Sequence, residues 1–451
     1  MTFAPKTPIT EILTALETGE TTAAALLETA LERAKDASGE GARVFTALME
    51  DSARAEAAAS DGLRKAGVPP RPLEGLPISI KDLFDVKGAV TTAGSRVLKT
   101  EPPAERDAPV VARLRAAGAV LVGRTNMTEF AYSGLGINPH YGTPANPFDR
   151  ASRRIPGGSS SGAAVSVSDG MATVGLGTDT GGSVRIPSSL CGLAGFKPTQ
   201  SRVPIDGAVP LSTSLDSIGP LAPTLECCVR VHQVLAGEPK RRIPALPVKG
   251  LRLAVPQEFV LDDLDEATAA AFQAALTRIS DAGATVIDLS LPELLELPVV
   301  NAKGGFTAPE SYALHERHIL RDPDAFDPRV ISRMLRASEQ SAAEYYALVT
   351  ARADIRARVA AKTSAFDAVL MPTTPRTAPT IAELEPDDAV YGAANMAMLR
   401  NCSVGNFLDC CAATLPIHEE GSAPVGLMVM GETLADDRTL AVSLGLETLF
   451  G

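Results

Sequence analysis

Residues 155–199 read IPGGSSSGAAVSVSDGMATVGLGTDTGGSVRIPSSLCGLAGFKPT. This stretch holds two clusters of small residues, GGSSSG at 157–162 and GTDTGGS at 177–183, separated by an apolar segment patterned as a helix and then a strand. Glycines permit positive φ angles and let successive backbone N–H groups turn toward one point. A serine that follows such a turn has its hydroxyl beside several unpaired N–H donors. The pattern therefore indicates a nucleophile with an oxyanion hole.

Three other interpretations compete for these clusters. A Walker A phosphate loop needs Lys and then Ser or Thr after its last glycine, and neither cluster has that pair. Residues 158–162 match the G-x-S-x-G elbow of the α/β-hydrolases with Ser160 at the centre, but that elbow follows a buried strand, and the preceding FDRASRRIPG is polar. That class also needs a catalytic histidine, and the chain has only five histidines. A loop without chemistry is the third interpretation, which the polar Thr-Asp-Thr between glycines disfavours. Ser160 and Ser161 are expected to cap a helix or support the loop.

Outside this stretch, helical and strand-like segments alternate. Apolar residues at helical spacing over 111–117 are followed by Gly118 and the strand-like AVLVG, and the same order recurs over 272–279 with Gly283 and ATVIDLSL. Helix, glycine stop and strand is the order typical of an α/β sheet with helices packed on its faces. Five more apolar runs have strand length, namely LPISI, ATVGLG, LRLAV, DAVLMP and VGLMVM. We expect a helical layer over residues 1–65 and an α/β domain over 66–451, which together form one compact domain.

Composition and charge restrict the class of protein. With 451 residues, 45% of them hydrophobic, the chain can bury a large core. A formal net charge of −12 gives no general electrostatic reason to bind nucleic acid or an anionic membrane. The N-terminus lacks the basic start and apolar core of a signal peptide, and no run reaches the roughly 18 apolar residues of a membrane helix. The six cysteines suit neither a disulfide framework nor a zinc site, so we expect reduced thiols and a cytoplasmic protein.

The Gly/Ser stretch resembles the signature of the amidase signature family. Five further segments carry the same resemblance: GLPISIKDLFDV at 75–86, GRTNMTEF at 123–130, LDSIGPLA at 215–222, VLMPTTP at 369–375 and APVGLMVMG at 423–431. Members of the family include fatty acid amide hydrolase, malonamidase and the A subunit of glutamyl-tRNA amidotransferase. The resemblance implies an α/β fold with a large mixed central β-sheet covered by α-helices on both faces. Residues 292–365 match no pattern that we can name.

The resemblance also implies a role for each signature residue. The serine that closes GTDTGGS is the implied nucleophile, the first serine of GGSSSG follows a cis peptide bond and relays a proton, and the lysine of PISIKD is the base: Ser183, Ser159 and Lys81. The implied oxyanion hole consists of the backbone N–H groups of Thr180, Gly181, Gly182 and Ser183. The implied substrate pocket is lined around Phe130, Ala131, Tyr132, Ser133 and Gly134, and residues 292–365 are expected to supply the rest.

These residue types suit the chemistry by themselves. A serine hydroxyl is a poor nucleophile without a base, and lysine can be that base only when desolvation or a nearby cation keeps it neutral. Lys81 follows the apolar run LPISI, so we expect its amine to be buried. A relay from Ser183 through Ser159 keeps the base away from the carbonyl and lets Ser159 return the proton to the leaving amine. Asp179 is expected to hold the glycine loop by accepting backbone N–H bonds, together with Arg185.

The predicted function is hydrolysis of a C–N bond in a small-molecule amide, carbamate or urea through an acyl-enzyme. No cofactor and no metal are expected, because His315 and His318 form H-x-x-H without an evident third ligand. Two alternatives remain open: an A-type subunit of a tRNA-dependent amidotransferase, and a catalytically silent binding protein. We expect a monomer or homodimer without a nucleic-acid or membrane partner.

Overall fold

A single mixed sheet organises the computed structural model, which describes residues 3–238 and 241–450. The strands are β1 (Phe45–Leu48), β2 (Pro77–Lys81), β3 (Val120–Thr125), β4 (Val174–Asp179), β5 (Ala194–Lys197), β6 (Ser217–Ala222), β7 (Arg252–Pro256), β8 (Thr285–Leu289), β9 (Ala368–Pro372), β10 (Ala412–Pro416) and β11 (Gly426–Met430). In these ranges the sheet has 11 strands in the order β1-β3-β2-β4-β6-β5-β10-β11-β9-β7-β8. β2 is parallel to β3 and β4, and β7 is parallel to β8 and β9. The other neighbouring pairs are antiparallel.

Helices connect and cover these strands. They are α1 (Ile9–Thr18), α2 (Ala23–Lys35), α3 (Gly41–Val44), α4 (Glu50–Lys65), α5 (Pro109–Ala116), α6 (Ser161–Ser168), α7 (Arg185–Leu190), α8 (Leu225–Ala236), α9 (Glu266–Asp281), α10 (Glu296–Val300), α11 (Thr307–Arg321), α12 (Pro328–Leu335), α13 (Ala342–Thr363), α14 (Ile381–Leu384), α15 (Asp388–Phe407) and α16 (Asp436–Glu447). None of the helices in the described ranges is both long and apolar enough to cross a membrane.

Buried side chains lie on both faces of the sheet. Along β3, Val120 and Val122 belong to one apolar cluster with Leu27 and Leu31 of α2, whereas the intervening Leu121 belongs to a different cluster. Alternate residues of β11 divide between two clusters in the same way. Successive side chains of a strand point to opposite faces, so helices pack on both sides. The predicted α/β fold, with a mixed sheet between helical layers, is confirmed.

Sequence patterns predicted the ends of helices best where a glycine follows the helix. α5 ends just before Gly118, which has φ of 89°, and α9 ends just before Gly283, which has φ of 92°. Glycine adopts this left-handed conformation without the steric cost that other residues have. The five further apolar runs each contain a strand. Four short strands were not predicted, β1, β5, β6 and β10, because their sequences lack a clear apolar run and depend on hydrogen bonds from neighbouring strands.

The N-terminal segment contributes a strand as well as helices. β1 lies at the sheet edge and pairs antiparallel with β3, with Phe45 opposite Thr125. Next to it, the Asn126 N–H donates to the Val44 carbonyl at 2.8 Å, and the Ala145 N–H donates to Glu40 Oε2 at 3.0 Å. The segment that we expected to be a helical layer therefore also extends the sheet.

Candidate active site

Lys81 lies at the carboxyl end of β2, between β3 and β4. Its side chain is fully buried, and Nζ forms hydrogen bonds with Ser159 Oγ at 2.7 Å and with Thr178 Oγ1 at 2.9 Å. Thr178 belongs to β4, and the parallel pairing of β2 with β4 brings its hydroxyl to the amine. Both partners are hydroxyls, which can donate to a neutral amine and accept from a charged one. The surroundings of Lys81 are therefore compatible with either protonation state.

Burial lowers the pKa of Lys81 to about 7, because the ammonium form loses its hydration. The carboxylates of Asp216 and Asp179 raise this pKa but do not offset the burial. A lysine that titrates near 7 exists partly as the neutral amine at neutral pH. This amine can accept a proton from a hydroxyl at hydrogen-bond distance.

Ser159 lies at the start of the segment that leads into α6. The Gly158–Ser159 peptide bond is cis, and the Ser159 side chain is buried. The next two hydroxyls contact backbone carbonyls, Ser160 Oγ with Thr178 and Ser161 Oγ with Asn126, each at 3.4 Å, and the Ser160 hydroxyl does not cap α6. A 3₁₀ turn precedes this segment where the α/β-hydrolase elbow would need a strand. These two serines therefore support the loop, and the elbow interpretation does not fit.

Ser183 lies in the turn between β4 and α7 and is only 2% exposed. Its carbonyl accepts the Ser160 N–H at 3.4 Å, which joins the two Gly/Ser loops. Among the described residues, the Ser183 hydroxyl has no hydrogen-bond partner. Lys81 is thus linked directly to Ser159, whereas within the described part of the chain no hydrogen bond joins Ser159 to the Ser183 hydroxyl.

Asp179, the last residue of β4, binds the turn through its carboxylate. Oδ1 accepts the Gly182 N–H at 2.8 Å, and Oδ2 accepts the N–H groups of Val184 at 3.2 Å and Arg185 at 3.3 Å. The buried Arg185 guanidinium donates to both carboxylate oxygens, at 3.0 and 2.9 Å. Burial alone would raise the pKa of Asp179, but the Arg185 guanidinium holds it well below its usual range. The charged carboxylate is therefore available to order the turn at neutral pH.

Gly182 occupies a position that excludes a side chain. Its φ is 124°, and a Cβ would lie 2.5 Å from the Cys402 Cβ and 2.6 Å from the Ile186 Cδ1. Its N–H is donated to Asp179, so it is not available to a substrate oxygen. This corrects the implied oxyanion hole of four N–H groups. In the described part of the chain, three of these groups have no hydrogen-bond partner and remain able to donate: those of Thr180, Gly181 and Ser183.

The first two residues of the implied substrate pocket have different environments. Phe130 is buried against the rings of His315 and Phe326, whose centroids lie 4.5 and 5.4 Å away, so its side chain belongs to the core. Ala131 borders a small cavity beside the glycine turn, residues 180–184. The same cavity is bordered by Thr178, Thr180 and Asp216. Ala131 is therefore close to the turn that contains Ser183, whereas the Phe130 ring packs in the core.

Of the other three pocket residues, Ser133 and Gly134 lie against one face of α15, whereas the Tyr132 hydroxyl donates to Thr307 Oγ1 of α11 at 3.1 Å. Asn395 Oδ1 accepts the Ser133 hydroxyl at 2.8 Å and the Gly134 N–H at 2.9 Å. Leu399, one turn later, has side-chain atoms 3.2 Å from where a Gly134 Cβ would lie and 3.4 Å from where a Gly181 Cβ would lie. Residues 133–134 and the glycine turn thus both contact α15. No sequence pattern identified this helix as part of the site.

Thr178 and Asp216 are polar residues of the site that were not predicted. The antiparallel pairing of Asp179 with Ser217 places Asp216 next to Thr180. Its carboxylate accepts the Thr180 hydroxyl at 2.5 Å and the Leu211 N–H at 2.9 Å. Burial raises the pKa of Asp216 to about 6, although the hydrogen bond from Thr180 opposes this effect. Both residues lie inside family segments, but only the strand pairing shows that they meet.

The H-x-x-H histidines form separate contacts. His315 Nε2 lies 3.2 Å from the Pro210 carbonyl, and His318 Nε2 lies 3.2 Å from Glu101 Oε1. Burial lowers the pKa of His315 to about 4. Over residues 3–238 and 241–450, no group of three His, Cys, Asp or Glu side chains is arranged to hold a metal ion.

Comparison with known proteins identifies the family. The family model described as Amidase matches residues 25–440, nearly the whole chain. The chain belongs to the amidase family. This amidase is accordingly a hydrolase of C–N bonds, and the predicted family and enzyme class are confirmed.

Relatives of the amidase extend over most of its length. It is 40% identical over 404 residues to the 2-amino-5-chloromuconic acid deaminase of Comamonas testosteroni, with coverage of 88% of this chain and 87% of that protein. It is 34% identical over 462 residues to the A subunit of the glutamyl-tRNA(Gln) amidotransferase of Chloroflexus aggregans, with 95% and 93% coverage. A crystal structure of an amidase superposes with a TM-score of 0.88 at 35% identity, covering 99% of this chain and 100% of the other.

Proposed function

We propose that this amidase cleaves a C–N bond of a small-molecule amide, carbamate or urea through an acyl-enzyme on Ser183, with Ser159 as proton relay and Lys81 as base. The observation that carries the proposal is the buried Lys81 amine, 2.7 Å from Ser159 Oγ. The Comamonas testosteroni relative is named as a deaminase of 2-amino-5-chloromuconic acid, which supports a small organic molecule as substrate.

The proposed reaction begins when Ser183 Oγ attacks the substrate carbonyl carbon. The Ser183 proton passes to Ser159, whose own proton passes to the neutral Lys81 amine. The free N–H groups of the glycine turn stabilise the oxyanion, and Asp179 with Arg185 holds that turn in place. The C–N bond then breaks, and Lys81 returns a proton through Ser159 to the leaving amine. Water attacks the resulting ester by the same route, releases the acid and regenerates Ser183.

A covalent label and a hydrolysis screen test this proposal together. A fluorophosphonate should attach to the peptide that contains Ser183, and Ser183→Ala should abolish both labelling and turnover in a screen of amides, esters, carbamates and ureas. Ser160→Ala is the matched control, because the Ser160 hydroxyl contacts a backbone carbonyl, and it should keep the label on Ser183. A label on Ser160, or full turnover by Ser183→Ala, would overturn the assignment. A folded wild-type chain that takes no label would instead favour a silent binding protein.

The second candidate is an A-type subunit of a tRNA-dependent amidotransferase. Identity of 34% over 462 residues to the Chloroflexus aggregans protein favours it. Two partner subunits should then copurify with the protein from its native cells. Turnover of a small amide by the purified chain alone, without tRNA, decides against this candidate.

A cytoplasmic location and a monomeric or homodimeric state stay predictions.

A further inference from the structure

Glu310 of α11, in the region 292–365, binds the loop 211–216 that precedes β6. Its Oε2 accepts the Ser212 hydroxyl at 2.7 Å and the Ser214 N–H at 3.1 Å. Its Oε1 accepts the Ser214 hydroxyl at 2.5 Å and the Tyr345 hydroxyl of α13 at 2.8 Å. Each of these four donors is a neutral group. Three of the four belong to the loop, so the Glu310 carboxylate fixes the loop against α11 and α13.

Ser212 connects Glu310 with Asp216. Its hydroxyl donates to Glu310, while its N–H lies 3.2 and 3.1 Å from the two carboxylate oxygens of Asp216. The Ser212 carbonyl accepts the Asp216 N–H at 2.8 Å, which closes the loop around the carboxylate. One serine thus supplies a donor to each of two carboxylates. A movement of Ser212 away from Glu310 would therefore also change the N–H that Asp216 accepts.

A second contact from α13 holds the same loop. Arg352 donates to the Ser214 carbonyl at 3.1 Å and, at the end of α15, to the carbonyls of Phe407 at 2.7 Å and Asn406 at 3.2 Å. The Asn406 side chain in turn donates to Asp179 Oδ1 at 2.9 Å. Residues of α11 and α13 therefore contact the supports of both carboxylates that bind the glycine turn.

Several titratable groups face the loop from the neighbouring elements. Burial raises the pKa of Tyr345 and lowers that of Arg352, and these directions leave the phenol neutral and the guanidinium charged near neutral pH. The His315 ring contacts the residue before the loop, and burial lowers its pKa to about 4, so it is neutral as well. Asp216 and Lys81, with pKa values of about 6 and about 7, are the groups that change charge near neutral pH.

We propose that Glu310 is a positioning residue of the reaction, which holds the Asp216 carboxylate in place through Ser212 and acts through Asp216 on Lys81. This role rests on the proposed serine mechanism and adds a residue to it. Loss of the Glu310 carboxylate would loosen the loop and weaken N–H donation to Asp216. The charged form of Asp216 would then be less favoured, and so would the charged form of Lys81 that it supports. The rate should therefore rise at lower pH, and the less ordered glycine turn should lower its plateau.

The pH dependence of Ser183 labelling by a fluorophosphonate tests the proposal, because labelling needs the nucleophile but no amide substrate. Glu310→Gln should lower the plateau rate of labelling about 5- to 50-fold and move the rising limb by about 0.3 to 1 pH unit toward lower pH. Ser212→Ala breaks the same link without removing a charge, and it should move the limb in the same direction. Glu316→Gln removes an exposed charge from α11, so it is the matched control and should leave the profile unchanged.

An Asp216→Asn background separates this route from a general effect on folding. If Glu310 acts through Asp216, Glu310→Gln should no longer move the limb in that background, and the combined loss of rate should be smaller than the product of the two single losses. Two results would overturn the proposal: a limb that stays in place in both Glu310→Gln and Ser212→Ala, or a limb that Glu310→Gln moves equally with and without the Asp216 carboxylate.

The outcomes for the proposed reaction are distinct. A label on Ser183 whose profile does not respond to Glu310 would reject the positioning role and retain the reaction. A wild-type chain that takes no label would reject the reaction, and denaturant unfolding then tests the link alone. Lys81→Met should shift the denaturant midpoint near pH 7 more in the Glu310→Gln background than in wild type, because a lysine with a lower folded pKa destabilises the folded state more. Equal shifts in the two backgrounds would reject the link as well.

Discussion

Lys81 is expected to set the pH dependence of the reaction, because burial lowers its pKa to about 7. Only the neutral amine accepts a proton, so kcat/KM should rise with pH through about 7 and then level off. Lys81→Arg keeps the positive charge but cannot lose its proton, so activity should fall at least about 100-fold. The pH–rate profile of both proteins on one amide measures this, with circular dichroism as the control for folding. An active Arg variant with an unchanged profile would exclude Lys81 as the base.

Asp216 should influence the same profile through its charge. Its carboxylate raises the pKa of Lys81, so Asp216→Asn should lower that pKa and move the rising limb of kcat/KM to lower pH. The rate at the plateau should also fall, because the carboxylate accepts the Thr180 hydroxyl beside the proposed oxyanion hole. If Asp216 had only a structural role, the substitution would lower the rate at the plateau and leave the pH of the rising limb of kcat/KM unchanged. Profiles of wild type and Asp216→Asn on the same amide distinguish these outcomes.

At the scale of elements, the turn from β4 to α7 requires glycine at position 182 more strictly than at position 181. Gly182→Ala should destabilise the protein by about 2–4 kcal/mol, because φ of 124° and a Cβ 2.5 Å from the Cys402 Cβ are both unfavourable. Gly181→Ala is the matched comparison, since its Cβ would approach Leu399 only to 3.4 Å. Thermal unfolding of the two variants should show the larger loss for Gly182→Ala. Equal melting temperatures would contradict this account of the turn.

For the whole molecule, we expect that residues 66–451 do not fold by themselves. Without residues 1–65, β3 loses its antiparallel neighbour β1, and Val120 and Val122 lose the apolar cover of α2. An exposed apolar strand at a sheet edge favours aggregation. The soluble fraction after expression and the thermal unfolding of the truncated and full chains measure this. A truncated chain with a cooperative transition near that of the full chain would support two separable units.

Stability of the whole protein should also depend on Lys81. The folded pKa of about 7 is lower than the unfolded one, so between these values the unfolded chain binds more protons. Unfolding free energy should therefore fall as pH decreases from about 10 toward 7, by up to about 4–5 kcal/mol for this residue. Lys81→Met should remove that contribution. Denaturant unfolding at several pH values measures the difference between the two proteins, and parallel pH curves would contradict it.

The sequence by itself determined the class of fold, most elements and the family, because helical periodicity, glycine stops, apolar runs and the Gly/Ser motifs are local features of the chain. It also singled out Lys81 and Ser159, which the structure brings to hydrogen-bond distance, while their catalytic roles stay proposals. Only the tertiary structure decided that Asp216 reaches the glycine turn and that the Gly182 N–H is occupied. These contacts join residues far apart in the chain, and they follow from strand pairing and helix packing that no local pattern encodes.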